Sequence, residues 1–197
     1  MELPFFKVPT DTSEVHAELR RFYWDELDNP LFKLKPPDSP GLFVTWRGWR
    51  FVEEHYPLLE AFRAQHDLAH LLIFFEMDDR WWEDAPHSHN TKTGGSILFP
   101  IHRTSDDIIT QFYRVLEPSK INNPADSQRY GYLEYTGDTE LMGQFHLLEE
   151  PYVIDVNIFH KPVLLTTPDR VNGRVICNWK AKKEVVDMAQ EFGYHHE

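Results

Sequence analysis

The chain has 197 residues, 41% of them hydrophobic and 14% aromatic, which is enough for one domain with a substantial core and excludes a disordered tail. A formal net charge of -12 argues against a nucleic-acid-binding surface, which needs concentrated Lys and Arg. No apolar run approaches the roughly 20 residues that span a bilayer, and the start of the chain carries no apolar signal core. The single cysteine, Cys177, sits in the apolar run Val175-Ile176-Cys177 and reads as a buried, inert thiol, so a reducing cytoplasmic setting is expected.

In chain order, residues 12–27 carry Val15, Leu19, Phe22, Tyr23 and Leu27 at helical spacing, with Asp11, Thr12 and Ser13 as caps and Pro30 beyond the end. Lys35-Pro36-Pro37-Asp38-Ser39-Pro40-Gly41 must be a loop. Residues 42–46 read as a short strand and 58–65 as a short helix after Pro57. Residues 68–77 are apolar throughout and fit a strand buried on both faces. Residues 97–101 and 108–116 read as neighbouring strands joined by the turn Thr104-Ser105-Asp106-Asp107. Residues 119–129 are polar and read as a long loop. Strands are then expected at 130–135, 144–148, 152–159, 162–166 and 174–179. Val185, Met188, Ala189 and Phe192 close the chain as a helix. Many short strands with turn signals between them indicate a sandwich or barrel. The expected class is α+β in one domain, 1–197. Residues 1–80 form a helical flank with the first strands, 81–180 the β core and 181–197 the terminal helix.

The chemistry concentrates at Pro86-His87-Ser88-His89. On an extended strand, residues two apart point to one face, so His87 and His89 can present two imidazoles together. His160, in an apolar context, can bring a third from a distant strand, and three imidazoles can hold a divalent transition metal. Arg174 downstream can then grip the carboxylate of an acid bound to that metal. The bland alternatives are concrete. Eleven histidines produce a His-x-His by chance, His160 can be a core histidine, and Arg174 can pair with an acidic group for stability. Trp81 and Trp82 can wall a substrate pocket or simply pack the core. Tyr113 and Asn157 are candidates to face the pocket from barrel strands.

Around these residues the chain resembles the double-stranded β-helix oxygenases that depend on Fe(II) and 2-oxoglutarate, most nearly the small aspartyl/asparaginyl hydroxylase-like and phage-type members. The matching pieces begin with His87-Ser88-His89, Ile97-Leu98-Phe99-Pro100-Ile101 and Thr110-Gln111-Phe112-Tyr113. They continue with Glu150-Pro151-Tyr152-Val153-Ile154, His160 and Arg174-Val175-Ile176-Cys177-Asn178-Trp179. The likeness covers about half the chain, from His87 to Trp179. It implies a jelly-roll, cupin-like core with N-terminal helices and a C-terminal helix. It implies iron held by His87, His89 and His160, and 2-oxoglutarate anchored by Arg174, with Arg170 as a competing anchor and Tyr113 nearby. It implies dioxygen as oxidant, succinate as product, and a small molecule or amino-acid side chain as the group oxidised. The departure from the pattern is His89, which stands where the family carries a carboxylate. That leaves two other classes open: a β-barrel binding protein without catalysis, and a three-histidine cupin-type dioxygenase that does not use 2-oxoglutarate.

Overall fold

The computed structural model describes residues 4–34, 41–44, 46–77, 85–89, 92, 94–103, 108–122, 133–165 and 173–194. In chain order the elements begin with β1 (Phe5–Lys7), α1 (Ser13–Glu26), β2 (Lys33–Leu34), β3 (Gly41–Phe43), α2 (Trp46–His55), α3 (Pro57–Gln65) and β4 (Leu68–Met77). Then come β5 (His87–Ser88), β6 (Gly95–Arg103), β7 (Ile108–Val115), a short helical turn at Pro118–Lys120, β8 (Ile121–Asn122) and β9 (Leu133–Tyr135). The chain ends with β10 (Thr139–His146), β11 (Tyr152–Asp155), β12 (Phe159–Leu164), β13 (Gly173–Ala181) and α4 (Val185–Glu191).

The strands form two antiparallel sheets. The larger has the order β1-β11-β6-β13-β4-β3-β2, the smaller β10-β7-β12-β5-β9-β8. The chain passes from one sheet to the other between β4 and β5, β5 and β6, β6 and β7, β10 and β11, β11 and β12, and β12 and β13. Strand periodicity then sorts the side chains into two layers. On β6 and β13, Ile97, Phe99, Ile101, Val175, Cys177 and Trp179 pack with Leu19, Phe22, Leu59 and Phe62 of the helices. The alternate residues, Leu98 and Ile176, turn the other way and pack with Phe112, Phe145, Ile154 and Val156 between the sheets. Each such fully buried side chain contributes roughly 1.5–3 kcal/mol, so the helical layer fixes the larger sheet and leaves the inter-sheet face for chemistry.

The helical layer is tied together by a buried carboxylate. Glu18 on α1 accepts the Leu59 N–H at the start of α3 (2.8 Å) and is also bonded by Arg21 (3.1 Å). Helix α2 is an element that the sequence reading missed, having placed a strand up to Trp46. Gly48 weakens the local helical signal, yet Trp49 and Val52, three apart, are both buried. The strand expected over 152–159 is two elements: β11 stops at Asp155 and β12 starts at Phe159. Pro162, read as the start of a strand, lies inside β12 opposite Thr110. Proline removes a ladder donor and is tolerated at an edge. The neighbour β5 spans only His87–Ser88, so β12 has no ladder partner on that side at Pro162 among the described residues. Also among the described residues, no helix is long and apolar enough to cross a membrane.

Candidate metal centre

His160 lies directly opposite His87 in the β12–β5 ladder, and opposite Phe112 in the β12–β7 ladder. Its ring stacks on Phe112, with centroids 5.5 Å apart. Phe112 belongs to the inter-sheet core, so the three-residue row His87, His160, Phe112 faces the space between the sheets. His89, two residues beyond His87, returns to the same face. The ring centroids are 4.7 Å apart for His87 and His160, 5.3 Å for His87 and His89, and 5.4 Å for His89 and His160. One ring nitrogen from each histidine lies within 4.8 Å of the other two. That is wider than the roughly 3 Å between neighbouring nitrogens on one ion, so closure asks the rings to turn inward.

The turn between β11 and β12 is the scaffold. The Val156 carbonyl accepts the His89 N–H (2.7 Å). Two residues on, the Ile158 carbonyl takes a hydrogen bond from His160 Nδ1 (2.7 Å). Because a carbonyl only accepts, Nδ1 carries the proton and Nε2 keeps its lone pair, the state that a metal ligand requires. The turn itself is braced by Asp155, whose Oδ1 accepts the Asn157 N–H (2.9 Å). Gly94 closes against it with a positive φ of 73°, and a Cβ there would lie 2.4 Å from Asp155 Oδ1 and 2.9 Å from Asn157 Nδ2. Glycine is required at this close approach.

Electrostatics suit the same role. Desolvation, reinforced by the neighbouring His160 ring, pushes His87 down to about 3, so its imidazole stays neutral at ordinary pH. His160 is 7% exposed and Ser88, pointing away from the ring row, is 3% exposed.

Arg174 is 3% exposed and shares the inter-sheet face with Ile176. Its guanidinium donates to Thr110 Oγ1 on β7 at 2.8 Å, bridging the two sheets. Thr110 lies two residues from Phe112 on one face of β7. One pleat repeat, about 7 Å, therefore separates the level of the guanidinium from that of the histidine row.

The structure thus brings together His87, His89 and His160, with Arg174 one step along the same face and Asn157 in the bracing turn. It does not bring in Tyr113. Next to Phe112 on β7, Tyr113 points to the opposite face, where its hydroxyl donates to Gln111. Trp81, Trp82 and Arg170 lie outside the described residues. Thr110, Asp155 and Ile158 were missed by sequence reading. The alternation of β7 was the available signal for Thr110, since it shares a face with Phe112 rather than with Tyr113.

No family model and no curated protein matches the chain. Among solved structures it is similar to EvdO2 from Micromonospora carbonacea var. aurantiaca complexed with 2-oxoglutarate, at 16% identity over 93% of this chain and 89% of that one, with a TM-score of 0.45. It is also similar to HygX from Streptomyces hygroscopicus with nickel and 2-oxoglutarate bound, at 9% identity over 90% and 82%, with a TM-score of 0.41. A third is the non-heme alpha ketoglutarate dependent epimerase SnoN from nogalamycin biosynthesis, at 8% identity over 90% and 78%, with a TM-score of 0.39.

Proposed function

We propose that this chain is a non-haem iron oxygenase that uses 2-oxoglutarate to oxidise a small molecule or an amino-acid side chain, built on a double-stranded β-helix. The observation that carries the reading is the convergence of three imidazole nitrogens from β5, its end and β12 within 4.8 Å. The fit is chemical as well as spatial. Three imidazoles suit a divalent first-row transition ion, and each is held by a different part of the ladder and turn described above. The strand order supports the fold: the eight strands β4, β5, β6, β7, β10, β11, β12 and β13 wind between two four-stranded layers, β11-β6-β13-β4 and β10-β7-β12-β5.

His87, His89 and His160 would hold the iron, leaving positions for co-substrate and dioxygen. Bound there, iron supplies the redox chemistry that couples decarboxylation of 2-oxoglutarate to succinate with oxidation of the substrate. Arg174 takes the distal carboxylate of the co-substrate through a charge-assisted bond, and its bond to Thr110 fixes the direction of the guanidinium. The Ile158 carbonyl holds the proton of His160 at Nδ1. The Phe112 ring and its apolar neighbours keep water from the inner side of the site.

A second reading, a three-histidine dioxygenase without 2-oxoglutarate, is favoured by one observation: among the described residues the donor set contains three imidazoles and no carboxylate. One experiment separates the two. Purified protein is analysed for bound metal, reconstituted with Fe(II) under anaerobic conditions, then supplied with oxygen and 2-oxoglutarate. Metal binding with succinate formation supports the proposal. Metal binding with oxygen uptake that ignores 2-oxoglutarate supports the second reading. Failure to bind any divalent ion sinks both.

A further inference from the structure

Strand β13 begins where Arg174 meets Thr110 and runs toward the histidine row. Ile176, two residues after Arg174, packs in one cluster with Phe112, two residues after Thr110. One pleat repeat beyond the row comes Asn178, and then Lys180. The start of β6 reaches the same end of the sandwich. The Gly94 carbonyl accepts the Val156 N–H (2.9 Å), and the Val156 carbonyl accepts the His89 N–H. Ser96, two residues past Gly94, is the register partner of Lys180. Ile97, Cys177 and Trp179 pack on the helices, so Ser96, Asn178 and Lys180 share the face turned toward the other sheet.

Ser96 is fully buried and Asn178 is 6% exposed, yet Ser96 Oγ and Asn178 Oδ1 have no hydrogen-bond partner among the described residues. Buried polar atoms are nearly always paired. Two orphans in diagonal positions on adjacent strands, about 7–8 Å apart, therefore mark a place where a ligand belongs. Lys180 is half-buried beside them. Burial lowers its pKa, and no carboxylate among the described residues offsets that effect.

The chemistry of the orphans selects the ligand. Asn178 Oδ1 accepts, so its partner must carry an N–H or O–H. A metal ion, dioxygen and ionised 2-oxoglutarate carry neither. The co-substrate anchor Arg174 also lies one pleat repeat on the other side of the row. We propose that Ser96, Asn178 and Lys180 form the subsite of the molecule to be oxidised, and that this molecule is a small carboxylic acid bearing a hydroxyl or amino group. Its carboxylate meets the Lys180 ammonium and the Ser96 hydroxyl, and its hydroxyl or amino group donates to Asn178. Calling this acid the oxidised group rests on the oxygenase reading above; its binding rests on the three side chains alone.

The test is calorimetric titration of the full chain, metal-free and again loaded with Fe(II) and 2-oxoglutarate without oxygen. The probes are the standard L-amino acids and the hydroxy acids lactate, malate and tartrate. At least one acid is expected to bind both forms. Its methyl ester, and the same acid without the hydroxyl or amino group, should each bind at least about tenfold more weakly, as should the acid itself to Lys180→Met and to Asn178→Leu. Both variants should keep the affinity of the iron-loaded chain for 2-oxoglutarate. Asn178→Leu should melt no lower than the unaltered chain, because an unpaired amide contributes no bond to the fold. The proposal is overturned if no acid binds either form, if both folded variants bind the acid as before, or if they lose 2-oxoglutarate instead of the acid. A chain that binds an acid but no metal upholds the subsite and sinks the oxygenase reading; a chain that binds metal and 2-oxoglutarate but no acid sinks the subsite alone.

Discussion

Arg174 on β13 and Thr110 on β7 meet across the two sheets through a 2.8 Å hydrogen bond between residues 64 positions apart. On β7 the next residue on that face is Phe112, which faces His160 in the ladder. A single strand thus measures the separation between a buried cation and a cluster of imidazoles. That separation of about 7 Å, one pleat repeat, is comparable with the length of a five-carbon diacid stretched between a metal and a guanidinium.

Arg174→Lys keeps the positive charge and loses the forked donor. The expected result is 2-oxoglutarate affinity reduced at least about tenfold, with the metal content unchanged. Thr110→Val removes the acceptor that aims the guanidinium and should weaken co-substrate affinity by a smaller factor, about threefold. Titration of the iron-loaded protein with 2-oxoglutarate under anaerobic conditions reads both. Equal affinity in Arg174→Lys and the unaltered chain would remove Arg174 from the site.

His160→Ala takes away one of three donors. Metal analysis after dialysis should show the ion lost, while the melting temperature of the metal-free protein falls only as far as the lost stacking on Phe112 requires. His89→Asp is the informative companion. It supplies the carboxylate that the family pattern carries, and Fe(II) binding should persist or tighten because the added negative charge meets a dication. Loss of metal in His89→Asp, with the fold intact, would show that His89 plays some other part.

Gly94→Ala tests the bracing turn without touching a ligand. The residue sits at φ 73° and its new Cβ would fall 2.4 Å from Asp155 Oδ1. Strain and displacement together should cost about 1–3 kcal/mol of stability. Because Val156 and Ile158 hold His89 and His160, metal affinity should fall as well. Urea unfolding and metal titration provide the two readouts, and a variant that binds metal normally would detach the turn from the site.

His16 gives a pH dependence away from the metal. Desolvation lowers its pKa from the usual 6.5, and Arg20 lowers it further, against the opposing effect of the bond to the Pro100 carbonyl. Arg103 and Arg174 line the same cavity of about 550 Å³ as His16. The unfolded chain therefore binds a proton at His16 that the folded chain rejects. The contribution of His16 is fully present above pH 6.5 and is lost as the pH falls below that value toward the lowered folded pKa. Melting temperatures of the unaltered chain should drop between pH 7 and 5, and His16→Gln should flatten that slope. An unchanged slope in the variant would assign the acid sensitivity elsewhere.

Much of this was legible in the amino-acid order. Helices α1, α3 and α4 showed in their apolar spacing, and β4, β6, β7 and β13 in their apolar runs. The histidine cluster was legible because a period of two puts His87 and His89 on one face, and because His160 stands in an apolar strand. The same period, applied to β7, would have chosen Thr110 over Tyr113. Other features left no local trace. The bond from Arg174 to Thr110 joins two sheets, and no spacing rule reaches across a fold. The break between β11 and β12 carries neither Gly nor Pro; it is made by the side chain of Asp155 catching the N–H of Asn157. Helix α2 was hidden by Gly48 and by aromatic residues that suit a strand equally well.

Strand β5 is two residues long and is held by β12 on one side and β9 on the other. So short a segment has little cohesion of its own. An ion gripped by His87 and His160 would act as a clasp between β5 and β12, adding a cross-link that the backbone alone barely provides. Amide protons of Ser88 and His89 should then exchange with solvent far more slowly once the clasp is closed, and stripping the ion would loosen the very strand that presents its ligands.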